Sequence, residues 1–171
     1  MSTADSHDRE RLQPSLLDRL IDDAPEQLRE SPDQQSLSMA QLRRAVLRDV
    51  AWLLNTINLE TTEDLDELPG AAGSTINFGI PGFTGAIRSS RRTTVLEGAL
   101  RDAIRRFEPR ILPDSLRVRV RRSDGYAGSS MLSLDIEGEL WAQPVPQRVF
   151  LETTIALESG TAVITDVRTR G

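Results

Sequence analysis

The chain has no cysteine and no lysine, a single histidine, and aromatic residues at only 4% of its 171 positions. Without cysteine, disulfides and thiolate metal sites are excluded, and an intracellular setting is compatible. The one histidine, His7, lies in a polar opening stretch, MSTADSHDRERLQP, that is expected to be disordered. Histidine triads and histidine-based zinc sites are therefore out. No apolar run approaches the roughly 18 residues of a membrane span, and no signal peptide is expected at the start. There is no G-x-S-x-G elbow, and the glycines fit neither a Walker loop nor G-x-G-x-x-G, which argues against a serine hydrolase and a phosphate cradle.

What is present is unevenly charged. All 21 basic residues are arginine, a pattern that compositional bias alone accounts for. The net charge of −5 sits in residues 1–37, with nine acids against four arginines, while 38–171 holds 17 of each. Residues 88–122 contain eleven arginines and four acids. An acidic extension, 1–37, thus precedes a body, 38–171, that has one basic edge. This pattern suits docking to other proteins, or a weak nucleic-acid patch. Within the extension, PSLLDRLIDD (14–23) predicts a short amphipathic helix with Leu16, Leu17, Leu20 and Ile21 on one side. It is too short to stand alone and must dock, on its own domain or on a partner.

In the body, Ser38-x-x-Gln41 is a capping box opening a long helix, with Leu42, Val46, Val50, Leu53 and Leu54 as its buried stripe and Arg43, Arg44 and Arg48 facing outward. A glycine-rich, irregular region follows over 56–91, expected to be pinned by Ile76, Phe78, Ile80 and Phe83. A second helix is predicted to start near Thr93 or Thr94, where Thr94-x-x-Glu97 forms another capping box, and to end near Phe107. Leu96, Leu100, Ala103, Ile104 and Phe107 supply its core face.

Four period-2 segments come next. Leu116, Val118 and Val120 alternate with Arg117, Arg119 and Arg121; Leu132, Leu134 and Ile136 alternate with Ser133, Asp135 and Glu137. Val149, Leu151, Thr153, Ile155 and Leu157 form a third inward row, and 162–167 a fourth strand. Turn signals at Ser123-Asp124-Gly125 and Glu158-Ser159-Gly160 predict an antiparallel meander. The fold class is α+β: two main helices on one face of an antiparallel sheet of about four strands, with an N-terminal helical extension.

Between helix and sheet stands Glu108-Pro109-Arg110. Pro109 stops the helix and leaves the Glu108 carboxylate at the negative end of the helix dipole, costing a few tenths of a kcal/mol or more, partly offset by Arg105 and Arg106. The rigid turn brings Glu108 and Arg110 together, one acceptor and one bidentate donor. The motif is either a simple helix stop with an incidental ion pair or a functional corner.

Two further chemistries have candidate residues in the strands. Asp135, Glu137 and Glu139 lie at i, i+2 and i+4 of a strand, with adjacent members roughly 6.5–7 Å apart, close to the ~6.5–9.5 Å separation of inverting glycosidases. Hydrolysis also needs one carboxyl group held protonated in an apolar pocket, whereas these three are expected on an exposed face beside arginines. Arg117, Arg119, Arg121 and Arg122 could follow a phosphate backbone, but Tyr126 is the only stacking aromatic nearby. Cross-strand pairing of these arginines with the acidic strand is the simpler expectation.

Taken in order, PSLLDRLIDDAP, LRRAVLRDVAWLLNT, STINFGIPGF and AIRRFEPRIL resemble the TssE family, the small baseplate subunits of type VI secretion systems. That family is related to a lysozyme-like wedge protein of contractile phage baseplates. The resemblance spans about residues 14–168 and makes 38–171 a lysozyme-like baseplate wedge domain. It implies a non-enzymatic, cytoplasmic assembly protein docked to a membrane-associated complex, with no cofactor or metal. The implied partners are the wedge proteins TssF and TssG and the sheath subunits TssB and TssC by strand exchange, with TssK as a further neighbour. The family's motif maps onto Glu108, Pro109 and Arg110, implied to contact the helical bundle of the wedge. Leu16, Leu17, Leu20 and Ile21 are a secondary docking candidate. Residues 61–73 carry no expected motif. A muramidase-like peptidoglycan hydrolase is the runner-up reading, and a nucleic-acid-binding module the third.

Overall fold

A computed structural model describes Asp18 and residues 38–82, 90–124, 130–141, 146–156 and 161–166. Helix α1, Met39–Leu54, begins as its sequence directs. The Ser38 hydroxyl accepts the Gln41 amide while Gln41 Oε1 accepts the Ser38 amide, closing the capping box. Leu42, Val46, Val50, Leu53 and Leu54 are all buried. Asn55 ends the helix and reaches further. Its Nδ2 donates to the carbonyls of Ala51 and Ala162, and its Oδ1 accepts the Ala162 amide at 2.9 Å.

The second long helix, α2, spans Ser90–Phe107. It starts ahead of the expected Thr93 or Thr94, because nothing among Ser90, Arg91 and Arg92 breaks a helix. Glu97 is accordingly not the far end of a capping box. Its carboxylate instead accepts the Val120 amide at 2.8 Å, across to the sheet. Leu96, Leu100 and Ile104 are buried, with Ala103 and Phe107 packed against them.

Strands β1 (Arg117–Asp124), β2 (Ser130–Leu140), β3 (Gln147–Ala156) and β4 (Ala162–Asp166) form one antiparallel sheet in the order β1-β2-β3-β4. The meander and the α+β class are as expected. Ser123 and Asp124 are strand residues paired with Met131 and Ser130, so two of the three expected turn residues belong to β1. Gly125, Leu157, residues 158–160 and Val167 lie outside the described residues. Val118, Leu134, Ile136, Leu151 and Ile155 point to one face and are buried there. Helix α2 lies along β1 and α1 along β4, so the two helices close one apolar core over that face.

Residues 56–82 are held by short turns: 3-10 turns at Leu59–Thr61 and Thr75–Asn77 and one helical turn at Pro69–Ala72. Ile80 is buried, and Phe78 meets Phe107 edge-on at 5.2 Å, as expected of pins. Ile76 is not a pin; it is exposed. In a tight 3-10 turn successive side chains point apart, and the inward place goes to Asn77, which is buried. Asn77 accepts the Glu60 amide and donates to the Ala72 carbonyl, satisfying loop backbone that an isoleucine could not. Leu65 is the second buried anchor without a sequence signal. Phe83 lies outside the described residues.

Candidate functional site: the Glu-Pro-Arg corner

Helix α2 closes with the Glu108 amide donating to Ile104 O at 2.8 Å, and Pro109 prevents a further turn. The chain then folds against the end of β2. Leu112 N–H donates to Glu139 O, Trp141 N–H donates to Arg110 O, and Ile111 forms an isolated antiparallel bridge with Leu140. Below it, Ser115 Oγ accepts the Glu139 amide at 2.8 Å. Gly138 makes this approach possible, since a Cβ there would stand 2.7 Å from Ile111 Cγ2. The corner is therefore fastened to both the helix and the sheet.

The Glu108 residue is 1% exposed. Its Oε1 accepts Arg110 Nε at 2.6 Å and its Oε2 accepts Arg110 Nη2 at 2.5 Å, the two-pronged pairing that the tripeptide predicts. Nη2 also donates to Asp49 Oδ2 on α1. Asp49 Oδ1 accepts Arg48 Nε at 2.8 Å, and Arg48 Nη1 meets the Asp18 carboxylate at 2.7 Å. Five side chains of alternating sign, Glu108, Arg110, Asp49, Arg48 and Asp18, thus run from the α2 end across α1 to the N-terminal extension.

Burial works to lower the pKa of Arg110, and its hydrogen bonds to Glu108 and Asp49 more than offset this, so the net shift is upward. The guanidinium stays charged throughout. Its Nη1 is buried and has no acceptor among the described residues. The dipole conflict expected at Glu108 is thus resolved within the chain by Arg110. Arg105 and Arg106 turn to the carbonyls of Pro113 and Ala72.

Around this buried pair the surface is amphipathic. Pro109 is exposed, and Trp52 and Trp141 are each 48% exposed. The Arg48 guanidinium lies 5.0 Å from the centre of the Trp52 ring. Arginine and tryptophan are the residue types that dominate protein–protein contacts.

The other sequence candidates are placed differently. Asp135 is buried rather than solvated, because Arg121 Nη2 covers it at 2.6 Å. That bond raises the Arg121 pKa. Glu139 faces Arg148 of β3 at 3.7 Å, so its partner is not on the arginine strand. Of the expected pairings between the acidic and the basic strand, the described residues show Arg121 with Asp135. A cleft of about 390 Å³ between residues 58–81 and α2 carries Glu60, Asp102 and Arg106 at its wall. Among the described residues no group of three or more His, Cys, Asp or Glu side chains is placed to hold a metal ion. No described helix is long and apolar enough to cross a membrane. His7, Leu16, Leu17, Leu20, Ile21 and Tyr126 lie outside the described residues.

Residues 40–145 match the family described as baseplate wedge protein gp25. The match takes in α1, α2, the Glu-Pro-Arg corner and the first two strands, more than half of the chain. The chain belongs to this family. No curated protein matches it. The baseplate wedge family is a structural one, whose members work in contact with other baseplate proteins. The ion-paired corner thus lies inside the region that defines a wedge protein. Two of its participants carried no sequence signal: Asp49, which is 61 residues from Arg110, and Asp18. The one clue was the adjacent Arg48-Asp49 on an otherwise basic outer face of α1.

Proposed function

We propose that the chain is a TssE-type subunit of a type VI secretion baseplate, a non-enzymatic adaptor that works by rigid docking. The observation that carries this reading is the wedge-family match across a Glu-Pro-Arg corner fastened to helix and sheet alike. In this account Glu108 holds Arg110, and the pair presents Pro109 and the outer side of Arg110 to the wedge proteins TssF and TssG. A preorganised corner binds without first paying the entropy of ordering its side chains. Residues 38–171 form the wedge domain and 1–37 an acidic arm. The protein acts in the cytoplasm, docked to a membrane-associated complex, and uses no cofactor.

Contact with the sheath subunits TssB and TssC is proposed to run through a sheet edge, with TssK a further neighbour. Both terminal strands are edges, and each is met by a side chain. Glu97 accepts the outward amide of Val120 on β1, and Asn55 takes both backbone groups of Ala162 on β4. By antiparallel alternation the groups of Ile164 point the same way as those of Ala162, along an edge with no described strand beyond it. This favours β4 for strand addition.

Retention of TssF and TssG on the purified chain tests the reading. A cell-wall turnover assay, with Glu137→Gln as its control, is expected to be blank. Retardation of RNA or DNA at low salt is expected to be absent.

A further inference from the structure

Arg48 stands on the side of α1 opposite Val46 and Val50, where a side chain should be free in water. Its side chain is nevertheless only 29% exposed, and the Asp18 side chain bonded to it is 13% exposed. An aspartate this covered belongs to a seated segment. The sequence around it says which kind. Read as a helix of about 3.6 residues per turn, 14–23 gathers Leu16, Leu17, Leu20 and Ile21 into one stripe, and Asp18 falls at its rim beside Ile21. Alongside Arg48, α1 offers a half-exposed Trp52 for such a stripe to cover.

We propose that the segment 14–23 of the same chain seats on the outward face of α1, its apolar stripe toward Trp52 and its Asp18 locked to Arg48. Charge complementarity selects this occupant. The extension 1–37 is acidic, while α1 carries the exposed Arg44 one turn before Arg48. Reach permits it in cis: residues 19–37 extend to about 60 Å, against about 15 Å of helix between Ser38 and Arg48. The seat extends the ion chain of the Glu-Pro-Arg corner by one member, so the arm and the corner are electrostatically joined. A partner taking Arg48 must displace Asp18. That consequence rests on the docking role proposed above, whereas the seat itself does not.

The absence of native cysteine makes the test direct. Nitroxide labels on Ser15→Cys and Ala40→Cys in the full chain give the distance between arm and α1 by pulsed electron resonance. One narrow, short population is expected. Asp18→Arg, a change in the arm that leaves the domain intact, should convert it to a broad, long one. Adding Arg48→Asp to Asp18→Arg should restore the narrow population. A broad distribution in the otherwise native chain would overturn the proposal, as would a narrow one indifferent to Asp18→Arg. Loss of the short distance on dilution with excess unlabelled protein would place the arm on a second copy and overturn the cis seat.

Discussion

Arg110 on the turn after α2 and Asp49 on α1, 61 residues apart, share a hydrogen bond of 2.5 Å while the same Nη2 also serves Glu108. One guanidinium nitrogen therefore ties the second helix end to the first helix. Because Glu108 is buried, the two halves of its pair are not independent. Removing Arg110 alone leaves a carboxylate in the interior with its main donor gone. Arg110→Met alone is expected to cost about 3–5 kcal/mol, whereas the joint change Glu108→Leu with Arg110→Met should cost far less, or nothing. Urea unfolding of the four members of this cycle checks it. Equal losses in the single and joint variants would contradict the account.

Three glycines should rank in a fixed order when changed to alanine. At Gly79, φ is 132° and a Cβ would lie 2.5 Å from Thr56 O, so backbone must move. At Gly138 the obstacle is a side-chain atom, Ile111 Cγ2, which gives way at a cost of about 1–3 kcal/mol. Gly70 has nothing within 4 Å and sits in a helical turn, so alanine there is neutral or stabilising. Melting temperatures should fall most for Gly79→Ala, less for Gly138→Ala and not at all for Gly70→Ala.

The two sheet edges should open independently. Asn55→Ala removes the side-chain partners of Ala162, and Glu97→Ala removes the acceptor of the Val120 amide. Hydrogen exchange at Ala162 is expected to speed up in the first variant only, and at Val120 in the second only. Spread of either effect to Leu134 or Leu151 in the sheet interior would show global loosening instead of a local edge release.

Much of this molecule could be read from its sequence because the signals were local. The Ser38 capping box, the stripe from Leu42 to Leu54 and the alternation in β1 to β3 each depend on neighbours a few residues away. The pairing of Glu108 with Arg110 was legible for the same reason: a proline fixes the geometry between them. What could not be read depends on distant contacts. Glu97 looked like a helix cap until a strand amide claimed it, and Ile76 lost its inward place to Asn77, which had backbone to satisfy. Asp135 seemed solvated because sequence alone does not lay Arg121 diagonally across it. The chain from Arg110 through Asp49 and Arg48 to Asp18 exists only once two helices and an arm are brought together.

The most direct test of the docking role is co-purification of TssF and TssG with the native chain and with the joint Glu108→Leu, Arg110→Met variant. This pair is preferred to single alanine changes because it removes the corner's charges without leaving one buried and unpaired, and its melting curve verifies the fold. The account predicts that the native chain retains both wedge proteins and that the folded variant loses them. Retention by the variant at the native level would contradict it, and would leave the Glu-Pro-Arg corner as a fastening between helix and sheet alone.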